Sequence, residues 1–381
     1  MASTISWETL RGLADFRAER GWAISLYLGL DPSVAPTARD VEPRVNSLLD
    51  DVERQLEARR DELPREAREG AKADLERIRA WFDTEFDRSG TWGVALFAGG
   101  LDGLFRTLPL MEPVVDEACL DQELMLAPLV PLVGKGDGPL VAVLNRERGD
   151  VYRLHDGAFV QVADLTDDQR GMSRSDQGGW SQARYQRRFD EMAEKHMKEV
   201  AEELDRRVRE HAAPVVVVGP EEIRTEFVDA LAQETREALV GWAAAEAHAT
   251  PAQVLEAISP LLEQAESTHE AELLERWRGL AARGERATAG WADTLEAVSD
   301  ARVEVLVVAD GRDRTVWQCP SCGRAAAQAG ECPLDGIPME ERAHGTDVAI
   351  HLALANGGTV QSVRHHDDLA PAEGIGALLR F

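Results

Sequence analysis

Two apolar runs rich in β-branched residues limit the folds open to this chain: Pro214–Gly219 (PVVVVG) and Arg302–Ala309 (RVEVLVVA). A strand with one wet face alternates apolar and polar residues, whereas a near-continuous apolar strand must be covered on both faces. Each run is therefore expected inside a layered α/β unit, its sheet packed between helices. A length of 381 residues exceeds what one compact core organises and implies two or three domains.

The rest of the chain supplies the layers. Trp22–Leu28 (WAISLYL) reads as a strand. Val41–Arg59 and Pro64–Phe86 carry helical spacing, with Val45, Leu48, Leu49, Val52 and Leu56 recurring at three and four. Gly90–Gly100 reads as another strand, and extended chain follows to Glu117. After the glycine-rich Gly134–Gly138 come three short strands, Leu140–Leu144, Val151–Leu154 and Phe159–Ala163, the last two joined by an Asp156-Gly157 hairpin turn. Thr166–Gln182 has neither period and reads as an exposed loop. A long helix is predicted from Ala183, with Phe189, Met192, Val200, Leu204 and Val208 on one stripe, and a further helix opens at Pro220. Thr250-Pro251 starts another helix, a capping residue followed by proline at the first position, which continues to about Gly284. A helix over Asp347–Asn356, a strand over Thr359–Val363 and a glycine-rich ending complete the chain. The expected fold class is α+β and α/β in three domains, over residues 1–137, 138–264 and 265–381.

Formal net charge is −27, from 42 Lys+Arg against 69 Asp+Glu. Such a balance argues against non-specific nucleic-acid binding, which draws on phosphate neutralisation. It leaves room for a ligand of RNA whose positive charge is local, and an acidic proteome would produce the same balance everywhere. No basic-then-apolar leader opens the sequence and no stretch reaches about 18 consecutive apolar residues, so a cytoplasmic protein without a membrane span is expected.

Ser173–Arg188 (SRSDQGGWSQARYQRR) reverses the charge locally. Between Arg170 and Lys198 seven Lys/Arg face four Asp/Glu. Gly178 and Gly179 open backbone angles closed to other residues, so the loop can pass close to another surface. A Gly-Gly tip on a stem carrying Arg184, Arg187 and Arg188 suits entry into a phosphate-lined cavity. Charge and glycine alone fit equally an ordinary exposed loop capped by a helix with a solvated basic face.

This stretch resembles the Gly-Gly-Gln loop of the archaeo-eukaryotic class-1 peptide chain release factors, where a glycine pair and a glutamine precede a long basic helix. Here the order is Gly178-Gly179-Trp180-Ser181-Gln182, so the matching glutamine, Gln182, is displaced by two residues. The displacement is similar to that of divergent bacterial branches and of ribosome quality-control peptidyl-tRNA hydrolases. Pro214–Pro220 resembles the strand and helix that follow the catalytic helix, Ala301–Asp310 the opening strand of the third domain, and the ending GIGALLRF the family's last strand, also present in Pelota. The order of these pieces agrees over about Leu140–Phe381. Before Val133 the likeness rests on Trp92–Phe97 and Cys119-Leu120-Asp121, and the Asn-Ile-Lys-Ser signature of stop-codon readers is absent.

The resemblance implies a translation factor acting in the ribosomal A site on peptidyl-tRNA, beside ribosomal RNA, as a monomer and with an elongation-type GTPase as companion. Hydrolysis of the peptidyl-tRNA ester needs a positioned water and a stabilised oxyanion, which orientation and electrostatics can supply without a tuned acid or base. Gln182 would then place the water, Gly178 and Gly179 permit close approach, and Arg184, Arg187 and Arg188 hold phosphates. Trp180 either stacks on a base or packs back on its own domain. The favoured activity is codon-independent peptidyl-tRNA hydrolysis in ribosome rescue or quality control. The main rival is a non-catalytic A-site occupant similar to the hibernation factor Balon. A Ser181 nucleophile has no histidine near it in sequence, and a Pelota-like nuclease would need a carboxylate cluster that the loop does not carry.

Cys319-Pro320-Ser321-Cys322-Gly323 and Cys332-Pro333-Leu334-Asp335-Gly336 read as two halves of a zinc ribbon. Two turns with ligands at i and i+3 close a tetrahedral site, here with Asp335 in place of a fourth cysteine and His344 as another candidate. The expected group is a structural zinc. The alternative is a decayed site that keeps its turns without metal. Cys119, alone in sequence, reads as a buried apolar residue.

Overall fold

A computed structural model describes residues 5–31, 40–88, 91–110, 112–133, 138–144, 149–155, 158–164, 197–244 and 249–381. Residues Met1–Gly134 and Ser267–Phe381 form one compact unit and Lys135–Glu266 a second.

The first unit opens with helix α1 (Trp7–Ala14), capped by Ser6, whose Oγ accepts the Thr9 amide at 3.0 Å. Strand β1 (Ala23–Gly29), helices α2 (Val41–Ala58) and α3 (Arg65–Thr84), and strands β2 (Gly93–Gly99), β3 (Leu104–Leu110) and β4 (Glu117–Asp121) follow. The strands form an antiparallel sheet in the order β3-β2-β1-β4. Every residue of β1 is buried because its two faces serve two cores. Ile24, Leu26 and Leu28 pack with Leu49, Val52 and Ile78 of α2 and α3. Ala23 and Tyr27 belong to a second core that continues through Leu124–Val133 into the C-terminal segment.

In the second unit, β5 (Leu140–Leu144), β6 (Gly149–His155) and β7 (Ala158–Asp164) make an antiparallel meander. Helix α4 (197–210), strand β8 (Val215–Val218), helices α5 (Arg224–Ala230) and α6 (Gln233–Glu237) and strand β9 (Leu239–Ala243) follow. The sheet order is β7-β6-β5-β8-β9, with β5, β8 and β9 parallel. The period of two sorts β8: Val215 and Val217 face Val200 and Leu204 of α4, while Val216 and Val218 face Val254 and Ile258. The latter come from α7 (Pro251–Ala282), which also supplies Leu274 and Trp277 to the first unit. Thr250 and Gln253 form a reciprocal cap at its start, the Thr250 amide donating to the Gln253 side chain at 2.9 Å.

The C-terminal segment runs β10 (Ala287–Ala289), α8 (Trp291–Ser299), β11 (Val303–Ala309), β12 (Val316–Gln318), β13 (Ala325–Ala326), β14 (Glu340–Arg342), α9 (Gly345–Ala355), β15 (Thr359–Val363) and β16 (Ile375–Leu379). Its main sheet has the order β10-β16-β11-β15, with only the β11–β15 pair parallel. The fold class is thus mixed α+β, built from several sheets. The strands predicted at Leu140–Leu144 and Thr359–Val363 agree to the residue. The helix expected to open at Pro220 is instead a 3-10 turn, Glu221–Ile223, leading into α5. Helices α1 and α8 and strand β9 stand where no element was predicted. Among the described residues, no helix is long and apolar enough to cross a membrane.

Candidate metal centre and the loop region

Strands β12, β13 and β14 form a small antiparallel sheet in the order β13-β12-β14, and its loops carry Cys319, Cys322, Cys332 and Asp335. Two turns of the same design build the site. In the first, the Cys319 amide donates to the Arg324 carbonyl at 2.8 Å and the Gly323 amide to the Cys319 carbonyl at 2.9 Å. In the second, the Cys332 amide donates to the Ile337 carbonyl and the Gly336 amide to the Cys332 carbonyl, both at 2.8 Å. Each turn closes on a left-handed residue, Gly323 at φ 76° and Gly336 at φ 71°, which explains the glycine after each x-x pair.

The four ligand atoms lie within 4.8 Å of one another. Cys322 Sγ and Cys332 Sγ are 3.5 Å apart, and Cys319 Sγ stands 3.6 and 3.5 Å from the two Asp335 oxygens. On a tetrahedral zinc with Zn–S of about 2.3 Å and Zn–O of about 2.1 Å, two thiolates stand roughly 3.8 Å apart and a thiolate and a carboxylate oxygen roughly 3.6 Å. The residues fit such an ion. A hydrogen bond from the Arg324 amide lowers the Cys322 pKa, and one from the Ile337 amide lowers that of Asp335. Both favour the anionic forms that a cation requires. All four positions are filled by protein atoms, so a metal held here would be structural, with none of its positions open to substrate.

His344, the other candidate ligand, is not part of this group. It caps the start of α9 and points Nδ1 at Asp313 Oδ2, 3.3 Å away. Hydrogen bonds with Asp313 and then with Cys119 push its pKa up to about 11. Cys119 is buried as expected, and burial raises its thiol pKa, but it has a partner in His344. Nothing in the sequence spacing of Cys119, Asp313 and His344 signals that they meet.

The loop residues Gly178, Gly179, Trp180 and Gln182, with Arg184, Arg187 and Arg188, lie outside the described residues. What flanks them is α4, whose stripe of Met197, Val200, Leu204 and Val208 is buried against the sheet. Two of its arginines are paired. Arg206 bonds Glu203 and Glu210, and Arg207 donates to Glu203 at 2.8 Å and to the Val162 carbonyl at 2.8 Å.

Residues 125–263, the stretch containing that loop and the second unit's sheet, match the family described as bacterial archaeo-eukaryotic release factor family 10. Among solved structures, this chain is similar to the archaeal translation termination factor aRF1, at 18% identity over 99% of both chains with a TM-score of 0.26. It is similar to an archaeal Pelota described as ribosome-bound with ABCE1, at 14% identity over 76% of this chain and 77% of that one, TM-score 0.40. It is also similar to Dom34 of S. cerevisiae, described as a translation termination-like factor interacting with Hbs1, at 11% identity over 78% and 77%, TM-score 0.38. No curated protein matches this chain.

Proposed function

We propose that this chain is a ribosome-binding translation factor that hydrolyses the peptidyl-tRNA ester independently of stop codons, in rescue or quality control of stalled ribosomes. The observation that carries the reading is the family match across 125–263, which contains Gly178, Gly179, Gln182 and the three arginines of the stem. In this reading the second segment brings Gln182 to the ester, where its uncharged amide orients water. The glycine pair lets the backbone approach, and Arg184, Arg187 and Arg188 meet phosphates. The division into segments 1–137, 138–264 and 265–381, the elongation-type GTPase as companion, the A site as docking place and a cytoplasmic location belong to the same proposal. A zinc ion on Cys319, Cys322, Cys332 and Asp335 would hold the small sheet of the third segment.

A second reading has its own support. The insertion of Trp180-Ser181 between the glycine pair and Gln182, and a net charge of −27, fit a factor that fills the A site without cutting. Release of nascent chains from stalled ribosomal complexes, comparing wild type with Gln182→Ala, separates the two. Release that disappears in the variant establishes the hydrolase and its residue. Absence of release with ribosome binding intact assigns the occupancy role.

A further inference from the structure

The three cysteines of the small sheet's loops differ in how solvent reaches them. Cys322 is exposed, whereas Cys319 and Cys332 are 1% and 2% exposed. Cys322 Sγ lies 3.5 Å from the Sγ of Cys332, ten residues on. Cys319 Sγ instead faces the two Asp335 oxygens, at 3.6 and 3.5 Å. One open sulfur with a sheltered sulfur behind it is the arrangement of an attacking and a resolving thiol.

A cation at this site holds its cysteines as thiolates, and the thiolate is the form that attacks an oxidant. Resting on the zinc reading above, we propose that Cys322 and Cys332 are a peroxide-sensitive pair whose oxidation to a disulfide empties the metal site. The Cys322 thiolate attacks one oxygen of hydrogen peroxide, the O–O bond breaks, and a sulfenic acid forms on Cys322 as hydroxide leaves. The Cys332 thiolate then attacks the Cys322 sulfur, the S–O bond breaks, and a second hydroxide leaves. The two thiolates have together lost two electrons, and the peroxide has gained them. Cys319 and Asp335 then remain, and one thiolate with one carboxylate does not make up a tetrahedral structural site.

The fold accommodates this change. The two sulfurs must close from 3.5 Å to the roughly 2.05 Å of a disulfide, a movement within reach of rotation about the Cα–Cβ bond of the exposed Cys322. The small sheet does not hang on the ion alone, because Val316 of β12 and Ala325 of β13 are buried in the core of the first unit. Oxidation therefore loosens the turn that carries Leu334, 70% exposed, while the sheet stays docked. The fourth cysteine, Cys119, is buried on β4 beside His344 and outside the group, so it serves as an internal control that stays reduced.

Hydrogen peroxide added to the reduced, zinc-loaded full chain tests both halves. A chromogenic chelator reads the zinc released, against chelator alone, and mass spectrometry maps the bridges. One zinc should appear for each Cys322–Cys332 bridge, Cys119 should stay reduced, and dithiothreitol with zinc should restore the site. Cys119→Ser should release zinc at the wild-type rate; loss of release in that variant makes Cys119 the sensor and overturns the proposal. A Cys319–Cys322 bridge, or thiols oxidised without any bridge, overturns the pair. A Cys322–Cys332 bridge that leaves zinc bound overturns the emptying. A full chain that takes up no zinc refutes the metal reading instead, and mapping of its bridges then still decides whether Cys322 and Cys332 pair.

Discussion

Gly376, in the glycine-rich ending, shows how a short motif depends on one close contact. A Cβ at this position would stand 2.6 Å from Trp277 Nε1, 2.8 Å from Trp277 Cε2 and 2.9 Å from the Thr288 carbonyl. Trp277 is buried, and its Nε1 donates to that same carbonyl at 2.8 Å. Gly376→Ala must therefore either strain the β10–β16 pair or swing the indole away from its acceptor. Overpacking a core costs about 1–3 kcal/mol, and the lost hydrogen bond about 1 kcal/mol more. The expected destabilisation is about 2–4 kcal/mol, or roughly 5–15 °C in the melting temperature of a domain of this size. Thermal and urea unfolding measure it, with Gly12→Ala as control, since nothing lies within 4 Å of a Cβ there. Truncating the clashing ring in Gly376→Ala/Trp277→Leu should make the glycine change milder than in the wild-type background. A loss below about 0.5 kcal/mol for Gly376→Ala would refute the steric argument.

Three further outcomes follow from the geometry. Purified protein should carry one zinc per chain by elemental analysis, and Cys332→Ser should lose it. Metal-free wild type with an unchanged melting temperature would contradict a structural ion. His344 has a pKa raised above its ordinary value, so its contribution to stability is fully present below about pH 6.5 and is lost as pH climbs toward about 11. Asp313→Asn should flatten that alkaline decline, as read by unfolding at a series of pH values. Tyr27→Phe leaves the Met125 carbonyl without its buried donor and should cost about 1–2 kcal/mol in denaturant unfolding.

The elements most legible in the sequence were those whose pattern reports burial on both sides. The runs at Pro214–Gly219 and Arg302–Ala309 became β8 and β11; β8 sorts its odd and even valines into different cores, and in β11 Leu306 and Val308 serve one core while Val305 and Val307 serve another. The two cysteine turns were legible because their paired spacing repeats and the glycines that close them need positive φ. Asp335 could be named as a candidate ligand because it occupies the position of a fourth cysteine in the second turn, and it stands with the three cysteines in a group that could hold an ion. The polar contacts of α9 with the N-terminal segment were not legible. Asp347 and His351 meet backbone groups more than 200 residues away, and a backbone amide or carbonyl carries no residue signature. The same holds for His344, whose cysteine neighbour is Cys119 in β4 rather than Cys319, Cys322 or Cys332. The short elements α8 and β9 escaped because each follows glycine-rich or charged sequence and is fixed by tertiary packing.

Sedimentation with ribosomes decides whether this protein is a ribosome ligand. Full-length protein would be sedimented with bacterial ribosomes at several salt concentrations, alongside a variant in which Arg184, Arg187 and Arg188 are glutamine. Wild type should co-sediment, with binding that weakens as salt rises and more shallowly in the triple variant, since fewer phosphates are neutralised. Wild type that stays in the supernatant at every salt concentration, with resting and stalled ribosomes alike, would contradict ribosome binding.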